Sequence, residues 1–122
     1  MSERRPSKLA ALVMGARPRT LPAAAAPVVV GAAVACHAGG FRAVTALAAL
    51  FGGLMIQVGV NYANDYADGI RGTDDHRVGP FRLTASRAAS PAAVRRAALA
   101  AFAVAAAAGT ALAALCGAWG LI

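Results

Sequence analysis

Asn61 to Arg82 reads NYANDYADGIRGTDDHRVGPFR, and it continues an apolar run without a break. Four of the five acidic residues of the chain sit in it: Asp65, Asp68, Asp74 and Asp75. Carboxylates packed this densely at the end of a hydrophobic segment repel one another. They need a cation or a set of arginine partners to coexist. This stretch therefore marks both the end of an apolar element and the place where chemistry is to be sought.

Working outward, the 122 residues suffice for one small domain. The chain is 59% hydrophobic and 14% charged, with a mean hydropathy of +0.60. A soluble chain carries about 25% charged residues. No charge falls between Thr20 and Phe41, between Ala43 and Asn64, or between Ala97 and Ile122. Each window is long enough to cross a bilayer, which takes about 20 apolar residues. The pattern predicts an all-α membrane protein with three transmembrane helices, at about 20–38, 43–66 and 97–120. An interfacial helix around Leu9 to Ala16 precedes the first, and Pro27 should kink it. A polar loop at 66–96, rich in glycine and proline, joins the second and third. Ser90-Pro91 within it reads as a helix start. Trp119 stands where an aromatic anchor belongs.

The net charge of +7 raises nucleic-acid binding, but the polar surface for it is missing. Eleven of the twelve Lys and Arg residues fall before the first span or between the second and third, and Arg42 alone lies opposite. By the positive-inside rule, the N-terminus and the Asp-rich loop are then cytoplasmic in a multi-pass protein of the cell membrane. Arg4-Arg5 and the Ala-Val-Ala before Cys36 also suggest an export signal, which Arg17, Arg19 and two further apolar segments fit badly. Cys36 and Cys116 read as small buried thiols, with no Cys or His at metal-ligand spacing.

On the second helix, Gln57, Asn61, Asn64 and Asp68 are spaced by 4, 3 and 4 residues. At about 100° per residue they share one face, with Asp65 at its edge and Tyr62 and Tyr66 elsewhere. A polar stripe on a membrane helix faces protein or water. Gln57 and Asp68 are about 16 Å apart along the axis, so the stripe would line a pocket descending from the cytoplasmic surface. A purely structural helix–helix seam would use the same residues. Only oxygen and amide ligands are present, which suits Mg²⁺ or Ca²⁺ and not zinc. The run from Asn64 to Asp75 fails as a calcium-binding EF-hand loop at its third and twelfth positions. Arg71, Arg77, Arg82 and Arg87 add positive charge beside the carboxylates, so a Mg²⁺-bridged diphosphate would engage both kinds of group.

Asn64-Asp65-Tyr66-Ala67-Asp68 resembles the first aspartate-rich motif of the UbiA-type intramembrane aromatic prenyltransferases. The likeness extends to Ala16-Arg17-Pro18-Arg19-Thr20-Leu21-Pro22, to Gln57 through Tyr66, and to Gly72-Thr73-Asp74-Asp75 running into Arg77-Val78-Gly79-Pro80-Phe81-Arg82-Leu83. Gly72 stands where members acting on 4-hydroxybenzoate place a further Asp. The longer spacing to Asp74 is similar to the branch that prenylates 1,4-dihydroxy-2-naphthoate in menaquinone biosynthesis. The resemblance implies a helical bundle of about nine spans. It implies that Asn64, Asp68 and Asp74 hold Mg²⁺ against the diphosphate, with Asp65 supporting. Gln57 and Asn61 would line the acceptor or prenyl pocket, and Arg71, Arg77 and Arg82 would meet the diphosphate. It implies transfer of a polyprenyl group to the naphthoate with loss of CO₂ and diphosphate. The family's second aspartate-rich motif has no counterpart here, since no Asp or Glu follows Asp75. The chain is thus expected to be the N-terminal part of an enzyme, inactive alone and completed by remaining helices or a second chain. The alternative is a small non-catalytic membrane protein that serves binding or assembly.

Overall fold

The computed structural model describes residues 7–71 and 89–117. These form α1 (Lys8–Gly15), a 3₁₀ turn (Pro18–Thr20), α2 (Leu21–His37), α3 (Ala43–Arg71) and α4 (Pro91–Cys116). Asp74, Asp75, Arg77, Arg82, Arg87 and Trp119 lie outside the described residues.

Local chemistry sets the element ends. The Ser7 hydroxyl accepts from the Ala10 amide at 3.1 Å and starts α1. Arg17 then takes a left-handed backbone with φ of +52°, which breaks the helix before Pro18 opens the 3₁₀ turn. That conformation costs an L-residue about 1–2 kcal/mol, so neighbouring contacts must hold it. Helix α2 runs unbroken through Pro27, whose missing N–H deprives the Ala23 carbonyl of its helical donor. Its end is a Schellman turn: Gly39, at φ +75°, donates to Cys36 O at 3.1 Å, and Gly40 donates to Ala35 O at 2.8 Å. Helix α4 begins as the Ser90-Pro91 pair predicts, with the Ser90 hydroxyl accepting from the Ala93 amide at 3.2 Å.

The predicted loop at 66–96 is shorter than expected from both sides. Helix α3 continues past Tyr66 to Arg71, so Asp68 and Arg71 are helical. The cation of Arg71 in the last turn offsets the helix dipole there. Helix α4 begins at Pro91 and therefore includes Arg95 and Arg96. Long arginine side chains let a helix start before its apolar stretch, because the charged heads can reach water.

The packing inverts that of a soluble protein. Small residues fill the α3–α4 contact: Gly52 and Gly59 from α3, with Ala98, Ala101 and Ala105 from α4, are buried. A Cβ on Gly52 would stand 3.4 Å from the Ala108 Cβ. On another side of α3, Gly53 lies against Ala24 and Val28 of α2. Large apolar side chains such as Val30, Leu47, Ile56 and Leu99 point outward. Three segments are long and apolar enough to cross a membrane: Lys8–His37 counted through its turn, α3 and α4. In lipid there is no hydrophobic drive between helices, so close approach through Gly and Ala carries the association. Helix α2 buries no residue of its own in this chain. Cys36 and Cys116 are free thiols but exposed rather than buried, and both lie at helix ends.

Candidate functional site

The polar residues of α3 differ sharply in burial. Asn61 is 3% exposed and Asp65 fully buried, one turn apart. Tyr62 is buried beside them at 8%. Gln57 and Asp68 are half-buried, while Asn64 and Arg71 are exposed. Gln57, Asn61, Asn64 and Asp68 lie along one arc of the continuous helix α3, and the described helices cover the side of it that carries Asn61, Asp65 and Tyr62. The buried side lies toward Asp65 and Tyr62, because α1 and α4 pack there rather than across Asn64.

Asn61 is held by hydrogen bonds. Its Nδ2 donates to the Ala16 carbonyl at 2.7 Å and to the Thr20 hydroxyl at 3.0 Å. The Gln57 Nε2 donates to Asn61 Oδ1 at 3.4 Å, a long contact that still orients the amide. The Thr20 hydroxyl donates to the Arg17 carbonyl at 2.8 Å. Tyr62 donates its phenolic proton to the Leu12 carbonyl at 2.6 Å. These bonds fasten the break between α1 and α2 to α3. An apolar cluster of Ala11, Tyr62, Val94 and Ala98 closes the same end. Asp65 and Asp68 are both engaged in polar interactions.

The open face carries the remaining donors. Asn64 is exposed there, and Asp68, one turn on, is half-buried and engaged in a polar interaction. Among the described residues no three His, Cys, Asp or Glu side chains cluster closely enough to hold a metal by themselves. Two oxygen donors from one helix suit a hard cation that keeps water or phosphate oxygens as its other ligands, as Mg²⁺ does. Asp74, the third expected metal ligand, and Arg77 and Arg82, the expected diphosphate partners, are outside the described residues.

A cavity of about 320 Å³ lies at the other end of the helices, lined by Val28, Ala32, Phe41, Arg42 and Thr45 among others. Arg42 there donates to the Leu115 carbonyl at 3.2 Å, so this lone cation answers a carbonyl at the end of α4. Sequence reasoning passed over Arg17. Its Nε and Nη2 are buried with no hydrogen-bond partner among the described residues. The available signal was its place before Pro18, where an arginine cannot continue the helix.

The fold and this polar end define a helical membrane protein with acid and amide side chains along its central helix. Comparison with known proteins agrees. The chain is 50% identical over 107 residues to the 1,4-dihydroxy-2-naphthoate octaprenyltransferase of Mycobacterium leprae, covering 88% of this chain and 36% of that one. It is 51% identical over 107 residues to the enzyme of that name from Mycobacterium tuberculosis, covering 37% of it. The Escherichia coli enzyme of that name is 41% identical over 83 residues, 67% of this chain and 27% of its own length. No family model and no solved structure matches. The chain belongs to the 1,4-dihydroxy-2-naphthoate octaprenyltransferase family, as a partial region spanning a little over a third of the first two relatives.

Proposed function

We propose that the chain supplies the donor-binding part of a membrane prenyltransferase that moves a polyprenyl group from an allylic diphosphate to 1,4-dihydroxy-2-naphthoate. The observation that carries this reading is the polar stripe of α3: Asn61 and Asp65 are buried in the fold, Asp68 is half-buried and Asn64 is exposed. Other helices, from the same polypeptide or a second chain, would close the exposed side.

In the reaction, the allylic carbon–oxygen bond breaks and its electron pair leaves with the diphosphate. The electron-rich ring carbon bearing the carboxylate attacks the allylic cation. Carbon dioxide departs, and the product is a demethylmenaquinol. Mg²⁺, held by Asn64, Asp68 and Asp74, would supply the positive charge that neutralises the leaving diphosphate. Arg71, Arg77 and Arg82 would add cations around the same group. Gln57 sits one turn deeper than Asn61 and would meet the acceptor or the first prenyl unit. The outward apolar faces keep the site in lipid, where water cannot quench the cation. Eleven of the twelve Lys and Arg residues fall before the first span or between the second and third, which favours placing the Asp-bearing end on the cytoplasmic side of the cell membrane.

The test is Asp68→Ala in the complete enzyme, reconstituted in lipid vesicles with Mg²⁺. Loss of prenyl transfer at unchanged folding supports the reading, and full turnover overturns it.

A further inference from the structure

We infer that Asn61 and Thr20 form a latch that holds Arg17 as a receptor for one oxyanion at the break between α1 and α2. The identity of the anion rests on the prenyl-transfer reading, whereas the receptor itself does not.

Arg17 is the one non-glycine residue with positive φ among the described residues. Three hydrogen bonds bracket it. Asn61 binds the carbonyl of the residue before it at 2.7 Å. Asn61 also binds the Thr20 hydroxyl at 3.0 Å, and that hydroxyl returns to the carbonyl of Arg17 itself at 2.8 Å. The acceptor at Ala16 fixes which end of the Asn61 amide points toward the break, since only the Nδ2 can donate. A strained backbone kept in place by this many contacts fixes the direction in which its side chain leaves.

What leaves there is a guanidinium with a vacant edge. Nε and Nη2 are the two nitrogens whose N–H groups lie side by side along one edge of the arginine fork. That edge matches two oxygens of a phosphate or a carboxylate. Both atoms are buried, and neither has a partner among the described residues, so neither Asp65 nor Asp68 meets them. A guanidinium stays charged, and a buried charge without an acceptor is costly. An arginine that served membrane topology alone would keep these atoms in water. The geometry instead favours an incoming oxyanion: the diphosphate of the prenyl donor, or the carboxylate of the naphthoate acceptor. Asn61 and Thr20 are positioning residues in this scheme, acting on the ligand through Arg17.

The experiment titrates inorganic pyrophosphate and, separately, 1-hydroxy-2-naphthoate into the full chain in lipid nanodiscs. It compares the wild type with Arg17→Gly, Thr20→Val and Thr20→Ser, with helicity and melting recorded for each. Glycine accepts the left-handed backbone, so Arg17→Gly should fold as well as the wild type. Its affinity for pyrophosphate should fall about tenfold or more. Thr20→Val should lose affinity similarly, and Thr20→Ser should restore most of it, which a space-filling role for Thr20 would not explain. If the naphthoate probe loses affinity in place of pyrophosphate, the receptor stands and its anion is the carboxylate. If folded Arg17→Gly binds both probes as the wild type does, or if the wild type binds neither, the inference is overturned. Arginine-dependent pyrophosphate binding in a protein whose complete form transfers no prenyl group would refute the function and leave the receptor. Prenyl transfer indifferent to Arg17 would do the reverse.

Discussion

Gly59 of α3 lies flat against the ring of Phe102 of α4: a Cβ on Gly59 would stand 2.7 Å from Cε1 and 2.8 Å from Cδ1. No real carbon pair tolerates that separation, so the absence of a side chain is what lets the two helices meet here. Gly59→Ala should therefore push the Phe102 ring aside and cost about 1–3 kcal/mol of stability, as overpacking does. Reversible unfolding in mixed micelles measures it. Phe102→Leu in the same background should recover part of the loss, because the smaller side chain leaves room for the methyl group.

Tyr62 ties α1 to α3 through one bond, from its hydroxyl to the Leu12 carbonyl at 2.6 Å. Tyr62→Phe keeps the ring in its cluster with Ala11, Val94 and Ala98 and removes only that bond. The expected cost is about 1 kcal/mol. It should show as faster hydrogen exchange within Lys8–Gly15, with protection in α3 and α4 unchanged. Equal protection of α1 in both proteins would mean that the apolar cluster alone docks it.

The spans were legible because charge is excluded from them so completely. The Ser90-Pro91 start was legible because capping chemistry is local. The reach of α3 to Arg71 was not, since Gly69 and two aspartates argue against helix and only the last-turn arginine and tertiary packing argue for it. The turn of the polar face was also hidden. Period alone places Gln57, Asn61, Asn64 and Asp68 on one arc, but which side of that arc is buried depends on where α1 and α4 dock. Arg17 escaped for the same reason. Its role is visible only once Asn61, 44 positions later in the chain by their residue numbers, is seen to hold the residues on either side of it.

Gly39 ends α2 at φ +75° with open space around the position of a Cβ. A side chain there meets no steric neighbour, so the cost of Gly39→Ala is conformational, about 1 kcal/mol. Gly39→Asn should cost less, since asparagine enters the left-handed region more readily. Comparison of the two variants by thermal unfolding checks this. Equal melting of both with the wild type would mean that the turn does not limit stability.

Asn61 and Asn64 are three residues apart on one helix, yet they should fail in opposite ways. Asn61→Leu strands the Ala16 carbonyl, at a cost of about 1–3 kcal/mol, and takes one donor from the Thr20 hydroxyl, which keeps its own bond to Arg17. It should lower the melting temperature and free the α1–α2 break to exchange. Asn64→Leu replaces an exposed amide on the open face. It breaks no hydrogen bond given for the fold, so the shift in stability should stay within about 0.5 kcal/mol. Its loss should appear instead in Mg²⁺-dependent diphosphate binding by the complete enzyme. Measuring both properties for both variants separates scaffold from site. If Asn64→Leu unfolds the protein while Asn61→Leu spares it, the assignment of the two residues is reversed.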